Sequence, residues 1–315
     1  MARRKKKSGK LFILILFFIF LFTGYKYDSL VSWKDTLNFD AISITLSNMF
    51  RSEEKVEEAV FMVHFIDVGQ GDSILLQSFQ PGKPVENILV DAGGSKSAKK
   101  VISYLEEQHV EKLEAVVATY PRADHIGGFP GILKRFEVES VYMPKKVHTT
   151  KTFEKFVTAV KDKQLRAKAS HAGMNIPMNG AEISILAPAE GQEYKELNNY
   201  SIVLSVKAQG RHFILAGDAG EISEQEQLKQ TVLFRADVLK AGHHGNSTSS
   251  SWDYVKAVSP EYVVISCGKD NSYGLPSEET LQVFNRSECK ILRTDESGTI
   301  VMKVEKGQLS VLKEK

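Results

Sequence analysis

Cysteine is scarce: Cys267 and Cys289 are the two in 315 residues. That excludes a disulfide scaffold and a four-thiolate zinc site. Cys267 closes the apolar run Tyr262-Val263-Val264-Ile265-Ser266 and reads as a buried strand residue, while a bond between the two cysteines stays open. The chain also lacks a Walker-type phosphate loop, a Gly-x-Ser-x-Gly nucleophile elbow and a paired-cysteine zinc signature, so those chemistries have no sequence support. No short-period repeat is present, and no low-complexity run follows the basic N-terminus. A large net charge is missing too. The formal value is +2, but Arg3, Arg4, Lys5, Lys6, Lys7 and Lys10 supply six of the 41 basic residues. The remainder holds 35 basic against 39 acidic residues, a balance of −4. A mildly acidic body argues against a broad nonspecific grip on nucleic acid, though not against a local basic groove.

Leu11 to Phe22 contains no polar residue. Twelve apolar residues is short of the ~20 that a bilayer span needs and matches a signal-peptide core. No small-x-small cleavage site follows, and extension through Tyr27 adds interfacial tyrosines and a Lys26 able to snorkel. The expectation is an uncleaved anchor in residues 1–27, partnered with the lipid bilayer through residues 11–27. A cleaved signal, leaving the protein secreted, is the alternative. Either way the positive flank stays in the cytoplasm and the body lies outside the cell. Residues 28–57 read as a connector without clean periodicity, and residues 58–315 as the folded domain.

From Val60 the pattern runs strand, turn, strand, then alternates strands with helices. Strands are expected at 61–68, 73–77, 87–91, 115–118 and 141–143, then at 182–186, 202–206, 212–216, 238–240, 262–266, 290–293, 299–304 and 309–312. Helices are expected at 98–108, 128–135, 152–163, 221–230, 250–258 and 277–286, the last with Ser277 as N-cap and Glu278 and Glu279 in its first turn. Strands outnumber helices and the second half begins again with strands. An α/β fold of two packed sheets with helices outside fits this better than one doubly wound sheet.

Chemistry-bearing residues fall in islands, each placing Asp, His or Gly just after a short apolar run. They are Asp67-Val68-Gly69-Gln70-Gly71-Asp72-Ser73, then Asp91-Ala92-Gly93, Tyr120-Pro121-Arg122-Ala123-Asp124-His125-Ile126-Gly127-Gly128, Gly217-Asp218, and Lys240-Ala241-Gly242-His243-His244-Gly245. Together they resemble the metallo-β-lactamase superfamily, and within it the extracellular domain of ComEC-type competence proteins, from about Val60 to Leu312. No further membrane span follows in the sequence, so the likeness does not reach a competence channel. The resemblance implies a four-layer αββα sandwich with a metal site at one edge of the two sheets.

Members of that superfamily read His-x-His-x-Asp-His where this chain has Tyr120-Pro121-Arg122-Ala123-Asp124-His125. The two missing histidines would hold one of two metals, so the resemblance implies a reduced site with a single ion. Leu275 stands where relatives often have histidine, and Asn198, Asn199 and Ser201 resemble the run that replaces a third ligand motif. The expected ligands are Asp124, His125, Asp218 and His243, an N₂O₂ set suited to Zn²⁺ or Mn²⁺. Such an ion lowers the pKa of its water toward ~7 and polarises a phosphoryl oxygen. Asp218, His244 and Arg122 are the expected catalytic residues, with the Arg122 guanidinium in the vacated second-metal position. Arg122, Tyr120, Gln70, Asp72 and Asn199 are the expected substrate contacts.

Plainer readings stand beside these. Asp124 caps a short helix, Asp218 is a turn residue, Arg122 pairs with a stranded carboxylate, and Tyr120 packs. Asp91 reads as an orienting partner rather than a ligand, and His64 and His212, inside strands, as structural. The serine-rich lead-in Ser247–Ser251 either binds an anion at a helix N-terminus or caps that helix. The expected function is a membrane-anchored extracellular hydrolase of a phosphodiester, either nucleic acid or an envelope polymer. The alternative is a catalytically silent relative that binds a ligand or partner.

Overall fold

The structure is a computed structural model and describes residues 58–230 and 235–315. The expected anchor and connector fall outside the described residues. Among those described, no helix is long and apolar enough to cross a membrane.

The strands in chain order are β1 Val60–Phe65, β2 Ile74–Phe79, β3 Glu86–Val90, β4 Lys112–Leu113, β5 Ala115–Val117, β6 Glu137–Val138, β7 Val141–Pro144, β8 Ala167–Ser170, β9 Asn175–Met178, β10 Ala181–Ala187, β11 Val203–Ala208, β12 Arg211–Leu215, β13 Val238–Lys240, β14 Tyr262–Ile265, β15 Lys290–Arg293, β16 Ile300–Glu305 and β17 Gln308–Lys313. Among the described residues they form an eight-stranded sheet, β17-β16-β1-β2-β3-β5-β7-β8, and a seven-stranded sheet, β15-β14-β13-β12-β11-β10-β9. β4 and β6 make a separate parallel pair. Each large sheet is antiparallel on one side and parallel on the other: β3, β5, β7 and β8 run parallel in the first, and β12 to β15 in the second.

Alternation along the strands builds the layers. Ile74 and Leu76, Ile88 and Val90, and Ala115 and Val117 face the second sheet, where Leu204, Val206, Phe213 and Leu215 meet them. The intervening Leu75, Leu89 and Val116 pack outward on Val101 and Leu105, Phe129 and Leu133, and Phe153 and Phe156, from helices Ala98–Glu107, Phe129–Arg135 and Lys151–Asp162. On the far side Val203, Ile214, Leu239 and Val263 pack on Tyr254, Val255 and Phe284 of helices Trp252–Val258 and Glu278–Arg286. The order is helix, sheet, sheet, helix. Phe61 and Phe213 meet across the middle layer with ring centroids 6.4 Å apart; burying each such side chain stabilises the fold by about 1.5–3 kcal/mol.

Ser277 caps its helix as expected, its Oγ accepting from Thr280 N at 3.2 Å. β8 and β9, which the pattern does not announce, are the last strands of their sheets. β8 is mostly exposed and has no β-branched residue, and β9 carries Pro177; both are ordinary features of an edge. The layout puts the carboxyl ends of β3, β5, β12 and β13 along one rim, where an open α/β sheet presents its ligand-binding loops.

Candidate metal centre

Four loops cross at that rim. β5 feeds the one-turn helix Ala123–Ile126, which carries Asp124 and His125. β12 ends in a turn closed by Ala219 N on Ala216 O at 3.1 Å, with Asp218 inside it. β13 runs into the turn Gly242–Gly245, whose His243 and His244 are both left-handed, with φ 48° and 57°. Asp91, just past β3, is left-handed too, at φ 57°. Non-glycine residues held there store strain and cluster at functional sites. Backbone bonds lace the loops together: Ala92 N to His125 O at 2.8 Å, Gly93 N to Asp72 O at 2.7 Å, and His243 N to Gly217 O at 3.0 Å. A fourth bond, Asp72 N to Asp124 O at 3.2 Å, needs Gly71, because a Cβ there would collide with Asp124 O.

The side chains converge. His125 Nε2 is 3.1 Å from Asp218 Oδ2, and His244 Nε2 is 3.5 Å from both Asp218 Oδ1 and Asp124 Oδ2. Asp124, His125 and His244 each offer a ligand atom within 4.8 Å of the others, as do Asp72, Asp218 and His244. His125 Nε2, His244 Nε2 and both Asp218 carboxylate oxygens are buried without a hydrogen-bond partner. Two imidazole nitrogens and a carboxylate stranded around one point are a donor set that a divalent cation satisfies, so the residues fit a metal.

The electrostatics agree. Burial opposes charge on His125, but the Asp218 and Asp91 carboxylates outweigh it and hold the imidazolium well above the ordinary histidine value. Burial likewise opposes charge on His244, and Asp72 and Asp218 raise it to about 9. Burial alone would lift Asp218; the imidazoles of His125 and His244 hold it well below the carboxylate range instead. The pocket favours positive charge next to Asp218.

The second ring nitrogens are held from behind. His125 Nδ1 meets Asp91 Oδ2 at 2.8 Å, and Asp91 Oδ1 accepts from Thr119 N at 2.8 Å. His244 Nδ1 meets Ser266 O at 3.0 Å and Asp72 Oδ1 at 3.3 Å. Such partners fix the ring and aim the free nitrogen at the ion.

His243 stands apart. Its Nε2 is 3.9 Å from Asp218 Oδ2, and its Nδ1 faces Asn198 Nδ2 at 3.0 Å and Thr248 Oγ1 at 3.3 Å. Arg122, 38% exposed, places Nε 3.7 Å from Asp124 Oδ1. Tyr120 is buried edge-on to His125, ring centroids 5.8 Å apart. Gln70 Oε1 accepts from Gly268 N at 3.1 Å, tying two rim loops. Asn199 turns away from the rim, its Oδ1 accepting from Ser223 N at 3.2 Å. The amides of the serine-rich lead-in are already occupied: Ser250 N and Ser251 N donate to Glu224 at 2.5 and 3.0 Å. The anion at that helix start is the protein's own. Leu275 is buried, and both cysteines are free.

Two participants escape a reading of the sequence, and a third, Asn198, is named there only within the run that replaces a ligand motif. Lys240 is wholly buried against Asp72 Oδ2 at 2.5 Å. Asn198, beside the expected Asn199, is the residue that reaches a histidine. Glu224 anchors the loop after His244. Lys240 does carry a signal, a charged residue on the inward face of a strand that is otherwise apolar.

A family model of the metallo-beta-lactamase superfamily matches residues 66–269. The chain is 31% identical over 255 residues to the ComE operon protein 3 of Bacillus subtilis (strain 168), covering 76% of this chain and 32% of that protein. It is 29% identical over 250 residues to the competence protein ComA of Neisseria gonorrhoeae, covering 78% and 33%. The chain thus spans about a third of the length of these curated relatives. In three dimensions it is similar to the metallo-beta-lactamase fold protein YhfI from Bacillus subtilis, with a TM-score of 0.51, 12% identity, and coverage of 80% of this chain and all of that one; this likeness shows the fold.

Proposed function

The chain belongs to the metallo-beta-lactamase superfamily, and from that premise we propose that it is a single-metal hydrolase acting on a phosphodiester outside the membrane that residues 11–27 anchor it to. The observation that carries this reading is the set of partnerless buried atoms on His125, His244 and Asp218. Asp124, His125, Asp218 and His244 would hold the ion, with His244 taking the ligand place that the resemblance implied for His243. Zn²⁺ and Mn²⁺ both suit this N₂O₂ set. When bound, the ion supplies Lewis acidity toward a phosphoryl oxygen and acidifies its water.

The remaining work belongs to the chain's own groups. Asn198 donates to His243 Nδ1, which leaves the ring proton on Nε2, at the mouth of the site near Asp218. Burial disfavours its charged form, so His243 acts from there as a neutral hydrogen-bond donor that steadies charge building on the departing oxygen. Arg122 is exposed enough to turn toward a phosphoryl group and offers two parallel N–H donors, a geometry lysine lacks. Buried Tyr120 walls one side of the His125 ring. The substrate class, nucleic acid or a phosphorylated envelope polymer, rests on family resemblance, including likeness to a protein named for competence.

Metal analysis of the purified full chain, paired with turnover of a bis-aryl phosphodiester, tests the reading. A bound ion that is lost in Asp218→Ala and His244→Ala, together with turnover, is the expected result. Wild type free of metal would leave a silent binding protein, and turnover unaltered in both variants would overturn this site as its source.

A further inference from the structure

Lys240 is the odd residue of β13. Side chains two apart share a face, and Val238 lies in the apolar layer between the sheets. Lys240 therefore points into the same layer and is 0% exposed. Its Nζ is 2.5 Å from Asp72 Oδ2 and 3.4 Å from Gly217 O. A buried ion pair is a poor device for stability, since an apolar pair of similar volume does as well or better. Its place beside the cluster suggests a different use.

Asp72 is sterically able to be a ligand. It belongs to two compact groups, one with Asp218 and His244 and one with Asp91 and His125. Its Oδ1 is buried without a hydrogen-bond partner, 3.3 Å from His244 Nδ1. Its nearest histidine atoms are Nδ1 of His244 and, at 3.9 Å, Nδ1 of His125, so it stands behind the two rings, and its pairing with Lys240 holds it there. The charges count the same way. Asp72, Asp91 and Asp218 are fully buried carboxylates and Lys240 a fully buried ammonium, which leaves −2 once His125 and His244 release their protons to bind an ion. Asp124 has Arg122 beside it at 3.7 Å and adds nothing to the balance. One divalent cation neutralises the remainder.

We propose that Lys240 is a built-in countercharge that keeps Asp72 out of the metal's ligand shell and so limits the cluster to one divalent ion. Lys240 is then a positioning residue, acting through Asp72 on His244 and His125, and it sets the metal stoichiometry. This rests on the single-metal reading above.

The test is titration of the metal-stripped full chain with Mn²⁺ by calorimetry, with elemental analysis after equilibrium dialysis and circular dichroism to confirm folding. Wild type binds one ion. Lys240→Met binds the first ion about tenfold more tightly and takes up a second, because an unopposed carboxylate is now in reach. Asp72→Asn, with the ammonium left unpaired near the site, binds about tenfold more weakly. The double variant Lys240→Met/Asp72→Asn has the wild-type charge and returns to one ion at about the wild-type affinity, which a purely structural pair would not produce. A folded Lys240→Met with one ion and unchanged affinity overturns the proposal, as do two ions in wild type. If Lys240→Met fails to fold, Asp72→Asn against the double variant decides: equal affinities overturn it, recovery in the double supports it. Wild type without any ion defeats the parent reading instead, and that result is visible before any variant is made.

Discussion

Asp91 Oδ2 lies 2.8 Å from His125 Nδ1, and this contact turns the opposite ring nitrogen toward Asp218. The carboxylate also accepts from Thr119 N, so it is fixed before it fixes the histidine. Asp91→Asn keeps an acceptor and suits the left-handed backbone, to which Asn is well adapted, but removes the charge. The chain should fold normally and bind Mn²⁺ about 10–100-fold more weakly, the usual loss when an orienting partner goes. Calorimetric titration reads this directly; an unchanged affinity would mean that Asp91 serves the fold alone.

Gly71 makes room for the backbone of Asp124. Its φ of +129° disfavours any side chain, and a Cβ would run into Asp124 O. Asp72 N donates to that same oxygen at 3.2 Å, so relief by shifting the loop breaks a bond. Gly71→Ala should cost about 2–4 kcal/mol in urea unfolding and weaken metal binding by moving Asp124. Gly82, also left-handed but with nothing within 4 Å of its would-be Cβ, is the control; Gly82→Ala should cost only about 1 kcal/mol.

Glu224 holds the loop that follows the histidine pair. Its buried carboxylate accepts from Ser250 N and Ser251 N, where the helix Trp252–Val258 begins. Glu224→Ala would strand two amides in a dry site, a loss of about 2–4 kcal/mol. The same change should make residues 246–251 exchange amide hydrogen faster than the rest of the domain. Hydrogen-exchange mass spectrometry checks this, and uniform protection in the variant would show that the loop has other anchors.

Much of the fold is legible because its central strands are short apolar runs. Ile88-Leu89-Val90 and Phe213-Ile214-Leu215 are buried on both faces, and such runs between turn signals announce central strands. β8 and β9 are missed because an edge strand is released from that constraint. The islands holding Asp124, His125, Asp218 and His244 were visible as polar residues at strand ends. Which of two adjacent histidines faces inward was not, since that depends on consecutive left-handed residues that sequence does not mark. Asn198 and Asn199 divide in the same way: one reaches His243 and the other caps a helix. Lys240 was hidden by its type, because a lysine reads as surface until its strand is known to be interior.

His64 gives a stability signature separate from the metal cluster. It sits in β1 between inward-facing Val63 and Phe65, so its ring points to the helix layer, where Nδ1 meets Tyr104 OH at 2.8 Å. Burial disfavours its charged form and lowers its pKa from 6.5 to about 4, with only partial compensation from Gln77. The unfolded chain therefore binds a proton between pH 6.5 and 4 that the folded chain refuses. Stability from this group is complete above pH 6.5 and is lost as pH falls through that window. The shift corresponds to about 3 kcal/mol between pH 7 and pH 4. His64→Leu fills the same space without a titrating group, so its stability relative to wild type should rise by about 3 kcal/mol over that range. Urea unfolding of both proteins at several pH values isolates the difference, because every other titrating group is shared. Parallel curves for the two proteins would show that His64 is charged in the folded state after all.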